Sequence, residues 1–207
     1  MPRASGWRQY RPSATGVATG LAAGVKAGGH LNSAPTRAPI KARILGLDPG
    51  SRATGFGIID VDASGSVYVA SGAVRAEGTD FAARLHQIYA GVASVIASYQ
   101  PTEVAIERVF VSANPDSALK LGQARGAAIC ATFASHAPVF EYSAREVKQG
   151  VVGSGAALKP QVQKMIRILL KVEGKLGADA ADALAVALCH AHGRATRHAL
   201  ARAGVSA

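Results

Sequence analysis

The spacing of apolar residues changes several times along the chain, and each change predicts an element. Ile44 to Leu47 are apolar without a break and end on Asp48, Pro49 and Gly50, as a buried strand entering a turn does. The same reading gives strands over Arg43–Asp48, Gly55–Val61 and Val67–Arg75, joined by short loops rich in Gly, Ser and Asp. The period then lengthens. Phe81, Leu85, Ile88, Tyr89, Val92, Val95 and Ile96 recur as on one face of a helix that stops before Pro101. A fourth strand follows at Glu103–Glu107. Asn114, Pro115 and Asp116 supply a cap, a first-turn proline and a first-turn acid, and so open a helix running to about Ser135. A fifth strand covers Pro138–Tyr142. The stretch VKQGVVGSGAALKPQVQ holds a Gly/Ser loop between polar and basic residues. Val162, Met165, Ile166, Leu169 and Leu170 mark a further helix, and the last begins near Ala178. A three-strand meander followed by α/β units predicts an α/β domain, a mixed five-stranded sheet flanked by helices on both faces.

Composition changes this picture only at the ends. Residues 1–43 hold seven Lys/Arg and no acid, whereas residues 44–188 hold thirteen of each sign, so the net charge of +10 is mostly terminal. Residues 1–41, rich in Gly, Ala, Ser and Arg, cannot bury enough surface to order themselves and are expected to form a disordered basic tail. An organelle transit peptide is the alternative reading of that acid-free stretch. The domain is expected over 42–192, with a flexible tail over 193–207. In that tail region His190, His192 and His198 are read as part of a frayed basic end rather than as metal ligands. Cys130 and Cys189 are expected to be reduced core residues. Apolar runs are too short to span a bilayer, and the expected location is the cytoplasm.

Four carboxylates stand where acids are costly. Asp48 ends the first strand, Glu107 ends the fourth, and Asp179 and Asp182 are three apart on one helix face. Taken singly, each has a plainer reading: a turn acid, a partner of Arg108, or two acids at a positive helix end. Together, at strand ends that can be neighbours, they read as hard oxygen ligands for Mg²⁺ or Mn²⁺, the arrangement used in phosphodiester hydrolysis. Residues 145–175 hold seven basic and two acidic residues, and Lys164, Arg167 and Lys171 share a face suited to a phosphate backbone. Gly122 and Gly126, four apart among alanines, fit either a dimer contact or packing on the sheet.

These motifs carry a resemblance. ILGLDPGSRATGFGIID, AIERVF, NPDSALKLGQARGAAI, VFEYSAREVKQGVVGSG and DAADALAVALCH occur in the order seen in RuvC, the family of bacterial Holliday-junction resolvases. The resemblance runs from about Ile44 to His192. It implies an RNase H-like fold, a homodimer, and symmetric cutting of four-way junction DNA in recombination and repair. It further implies catalysis with two Mg²⁺ per subunit, for which Mn²⁺ can substitute, products with 5′-phosphates, and work beside the RuvA–RuvB branch-migration complex. By the same resemblance, Asp48, Glu107, Asp179 and Asp182 are the catalytic and metal-binding acids. Lys148 and Lys159 match lysines that contact the junction, and Phe110 matches an aromatic that engages a base at the exchange point. Two other functions remain open here. LGLDPGSRATG also resembles the first phosphate loop of actin- and sugar-kinase-like ATPases, although no second phosphate loop follows. A non-catalytic junction-binding protein is the other.

Overall fold

The computed structural model describes residues 41–109 and 114–202, with side chains as far as Arg194. The expected N-terminal tail up to residue 40, and Phe110, lie outside these residues. Strands β1 (Ala42–Asp48), β2 (Ala53–Asp62), β3 (Gly65–Arg75), β4 (Glu103–Glu107) and β5 (Val139–Tyr142) form one sheet in the order β3-β2-β1-β4-β5. The β1, β2 and β3 meander is antiparallel, and β4 and β5 add parallel strands on the other side of β1. The helices are α1 (Phe81–Tyr99), α2 (Pro115–Cys130), α3 (Ala144–Val152), α4 (Lys159–Leu170) and α5 (Ala178–Arg202).

Strand alternation sorts the core into two layers. Leu45, Leu47, Ile58, Val104 and Ile106 pack with Ile88 and Val92 of α1 and Ala124 and Ala128 of α2. On the opposite face Ile44, Ile59 and Ala105 pack with Val147 of α3, Ile166 of α4, and Leu184 and Leu188 of α5. The sheet therefore has helices on both faces, as expected. Among the described residues no helix is long and apolar enough to cross a membrane.

The α5 helix lies unusually close to the sheet. A Cβ on Gly46 would stand 2.1 Å from the Ala183 carbonyl oxygen, and one on Gly55 would stand 2.1 Å from that of Asp179. Gly46 pairs with Gly57 across β1 and β2, and Gly57 lies under Leu184. Only residues without a Cβ allow this approach, and Ala180, Ala181, Ala183 and Ala187 keep the helix side thin as well.

Several expectations need correction. A helix that the pattern does not predict, α3, follows β5, and the expected Gly/Ser loop comes after it, between α3 and α4. Ser143 and Glu146 close a capping box on α3: the Glu146 N–H donates to Ser143 Oγ at 3.2 Å, and the Ser143 N–H donates to Glu146 Oε2 at 2.6 Å. The α2 helix ends at Cys130, and a short 3₁₀ turn covers Phe133–Ser135. Cys130 is exposed rather than core, while Cys189 is buried. Gly122 and Gly126 have open space where a Cβ would point, so neither packs on the sheet; Ala124 and Ala128 do.

The end of the domain also differs, because α5 continues to Arg202. His190 is fully buried. Its Nε2 lies 2.7 Å from Glu103 Oε2, and its Nδ1 lies 2.7 Å from the Tyr142 hydroxyl. A carboxylate only accepts, so Nε2 carries the proton. Arg194 Nε donates to Glu103 Oε1 at 2.9 Å. Burial pushes the Glu103 carboxyl up, but the bonds from His190 and Arg194 outweigh it and hold the group below its ordinary value. His192 Nδ1 lies 2.7 Å from the Gly150 carbonyl oxygen, so it too belongs to the folded domain; the His198 side chain lies outside the described residues.

Candidate active site

β1 and β4 run parallel with Leu47 opposite Ile106. The next residues, Asp48 and Glu107, therefore end their strands side by side, where ligands gather in open α/β sheets. The turn after Asp48 is closed by the buried Thr54, whose hydroxyl donates to the Gly50 carbonyl at 3.2 Å. Arg125 of α2 donates from Nε to the Glu107 carbonyl oxygen at 3.2 Å and pairs with Glu141 of β5 at 2.8 Å. Sequence reasoning overlooked Arg125, which reads as one more surface cation until α2 is placed across the end of β4.

The first turns of α5 bring the other two acids. Gly55 pairs with Asp48 across β1 and β2, and the Asp179 backbone rests on Gly55. The close approach of helix to sheet is thus what sets Asp179 beside Asp48. Asp182, one turn on, accepts a hydrogen bond from Lys159 Nζ at 2.8 Å. Lys159 is the first residue of α4, and its side chain is 73% exposed against 20% for Asp182. The helix start is held from another side: Leu158 N–H donates to Gln161 Oε1 at 2.8 Å.

The four acids act on one another electrostatically. Asp48 is pushed up to about 7, first by burial and then by Glu107, Asp182 and Asp179, with Lys159 opposing. Glu107 is also raised, by burial and then Asp182, against Lys159 and Lys148. Lys159 is itself raised, chiefly by its bond to Asp182. Like charges in a partly desolvated pocket repel. Among the described residues no three acidic, His or Cys side chains converge tightly enough to form a ready-made cation cage. Asp182 turns instead toward Lys159. The donor set nonetheless fits a divalent cation: hard carboxylate oxygens whose repulsion such a charge would relieve.

Of the cations singled out in the sequence, Lys159 touches the acids and Lys148, half-buried on α3, acts on Glu107 through space. Lys164 is exposed on α4. Arg167 donates from its guanidinium to the Gly174 carbonyl at 2.7 Å, which ties it to the turn after α4 and leaves its other N–H donors for a phosphate. Lys171 adopts φ 50° at the C-cap and leaves the helix, so the basic face expected along α4 is shorter than its spacing suggested.

With this geometry in hand, comparison with known proteins is specific. The family model described as Crossover junction endodeoxyribonuclease RuvC matches residues 44–190. The chain belongs to the RuvC family. The RuvC match spans β1 to α5 and takes in all four acids. A Psychromonas ingrahamii RuvC is 55% identical over 149 residues, covering 72% of this chain and 86% of its own. A Vibrio cholerae RuvC is 54% identical over 164 residues, covering 79% of this chain and 95% of its own. Among solved structures, Thermus thermophilus RuvC in complex with Holliday junction substrate has a TM-score of 0.70 and 31% identity. It aligns over 75% of this chain and 96% of that one. The ATPase reading of DPGSRATG gives way to RuvC, and the fold is RNase H-like.

Proposed function

We infer that the chain is a Holliday-junction resolvase: a nuclease that cuts four-way DNA junctions in recombination and repair, with Asp48, Glu107, Asp179 and Asp182 as its catalytic acids. The observation that carries this reading is the meeting of these acids at the ends of β1 and β4 and the start of α5, inside the RuvC match. The same acids speak against a non-catalytic junction-binding protein, since carboxylates alone repel phosphate.

Asp48, Glu107, Asp179 and Asp182 would hold divalent cations, two Mg²⁺ per subunit, with Mn²⁺ as a substitute. When bound, such ions lower the pKa of water and stabilise the leaving oxygen in an in-line displacement. The residues of the chain do the rest. Asp48, central on the sheet, fixes the position of the site. Glu107, held through its backbone by Arg125, would orient the attacking water. Lys159 and Lys148 bring positive charge to the scissile phosphate. Cleavage on the 3′-oxygen side leaves 5′-phosphates that a ligase can rejoin. Lys164 contacts the duplex backbone, and Phe110 stacks on a base at the crossover. A symmetric pair of cuts requires a homodimer. The open side of α2, with Gly122, Gly126 and the 63% exposed Leu119, is the surface we assign to it.

The test is a synthetic four-way junction labelled on each strand. Paired nicks on opposing strands that T4-type ligase reseals, in Mg²⁺ and not in EDTA, are expected. Single nicks that cannot be resealed would overturn the reading.

A further inference from the structure

The Lys159–Asp182 pair contains a conflict that its 2.8 Å geometry makes explicit. Asp182 belongs to the acids that a divalent cation needs, and in the DNA-free chain it already holds a cation. The Lys159 stem is long and its side chain is 73% exposed. It starts α4 directly after the 153–158 loop, and with most of its side chain in solvent the ammonium can turn toward an arriving anion. Its ammonium also faces Asp48 and Glu107 through space.

We propose that Lys159 is a resident counter-ion that occupies Asp182 until DNA arrives, and thereby keeps divalent cations weakly bound on the free enzyme. A cation approaching the acids meets a positive charge in direct contact with one of its ligands. A phosphate approaching the site offers that ammonium a second anion. Transfer of Lys159 from Asp182 to the phosphate frees the carboxylate at the moment substrate is in place. Cation and DNA binding are then positively coupled, and the coupling is reciprocal. The consequence is that the nuclease assembles its complete charge set on DNA rather than in solution. This inference rests on the reading that the four acids hold the cation.

The test uses the full chain without DNA and Mn²⁺ as the probe, with affinity read by titration calorimetry and by the paramagnetic signal of free Mn²⁺. Removing a like charge in contact with a ligand carboxylate should tighten Mn²⁺ binding roughly tenfold in Lys159→Gln. Lys159→Arg, which keeps the charge, should bind as weakly as the wild type. Lys148→Gln removes a charge that acts only through space and should change affinity much less. Melting of each variant alongside the wild type in EDTA reports folding independently. Unchanged or weaker Mn²⁺ binding by Lys159→Gln, or an equal gain in Lys148→Gln, overturns the counter-ion role while leaving the metal reading intact. Failure of wild type and Lys159→Gln alike to bind Mn²⁺ overturns both.

Discussion

A methyl group on Gly55 would stand 2.1 Å from the carbonyl oxygen of Asp179, a backbone atom that cannot turn aside. Gly55→Ala should therefore lift the start of α5 and move Asp179 away from Asp48. Overpacking of this kind costs about 1–3 kcal/mol, and the displacement should lower cleavage more than junction affinity. Parallel measurement of melting, junction binding and single-turnover cutting checks this; equal loss of binding and cutting would speak for general unfolding instead. Gly122→Ala is the matched comparison for the stability of the subunit alone: within it the Cβ would enter open space, and the change from Gly to Ala inside a helix favours folding by about 1 kcal/mol. Asp48 and Glu107 were legible in the sequence because each ends a short apolar run. The role of Gly55 was not, since its neighbour comes from a helix more than a hundred residues later. His190 was misread for the same reason. Beside Arg194 and Arg197 it reads as tail, and only the placement of α5 over β4 and β5 buries it.

At the scale of elements, α3 shows what periodicity misses. Its glycine, lysine and glutamine content reads as loop, yet Ser143 and Glu146 carry the S-x-x-E signal that starts a helix. Loss of the cap in Ser143→Ala should cost about 1 kcal/mol. Glu146 is held at about 2, below its ordinary value, chiefly by the hydrogen bonds from Ser143 and further by Arg108. A carboxyl lowered on folding stabilises above its unfolded value, and that contribution is lost as pH falls from there toward about 2. The wild type should accordingly lose more stability than Glu146→Gln across that acidic window, as melting curves at successive pH values would show. The Glu103–His190–Tyr142 chain fastens α5, the helix of Asp179 and Asp182, to β4 and β5. Glu103→Gln removes the carboxylate that satisfies both His190 and Arg194. An expected loss of about 1–3 kcal/mol follows from leaving these groups poorly paired. Tyr142→Phe should cost less, because His190 keeps its bond to Glu103.

At the scale of the whole molecule, fold and charge were legible to different degrees. The mixed sheet, the order of its strands along the chain and the helices α1, α2, α4 and α5 followed from pattern, because long periodic segments specify their own state. The terminal basic residues carry most of the net charge, yet the four acids lie inside the balanced stretch between them. Deleting residues 1–40 removes five Lys/Arg and none of the acids. It should leave junction cutting in place while reducing the salt dependence of non-specific DNA binding, measured as the slope of affinity against salt. The central claim, that the convergent acids perform metal-dependent junction cleavage, rests most directly on Asp48. Its carboxyl is raised on folding to about 7, so the folded state holds its proton more tightly, and stability falls as pH rises toward that value. Asp48→Asn mimics the neutral form and should melt no lower than the wild type at neutral pH in EDTA, which guards against a trivial loss of fold. The decisive measurement is cleavage of a four-way junction by Asp48→Asn in Mg²⁺, alongside its junction affinity. The account predicts wild-type binding with cutting below detection; cutting at the wild-type rate would contradict it.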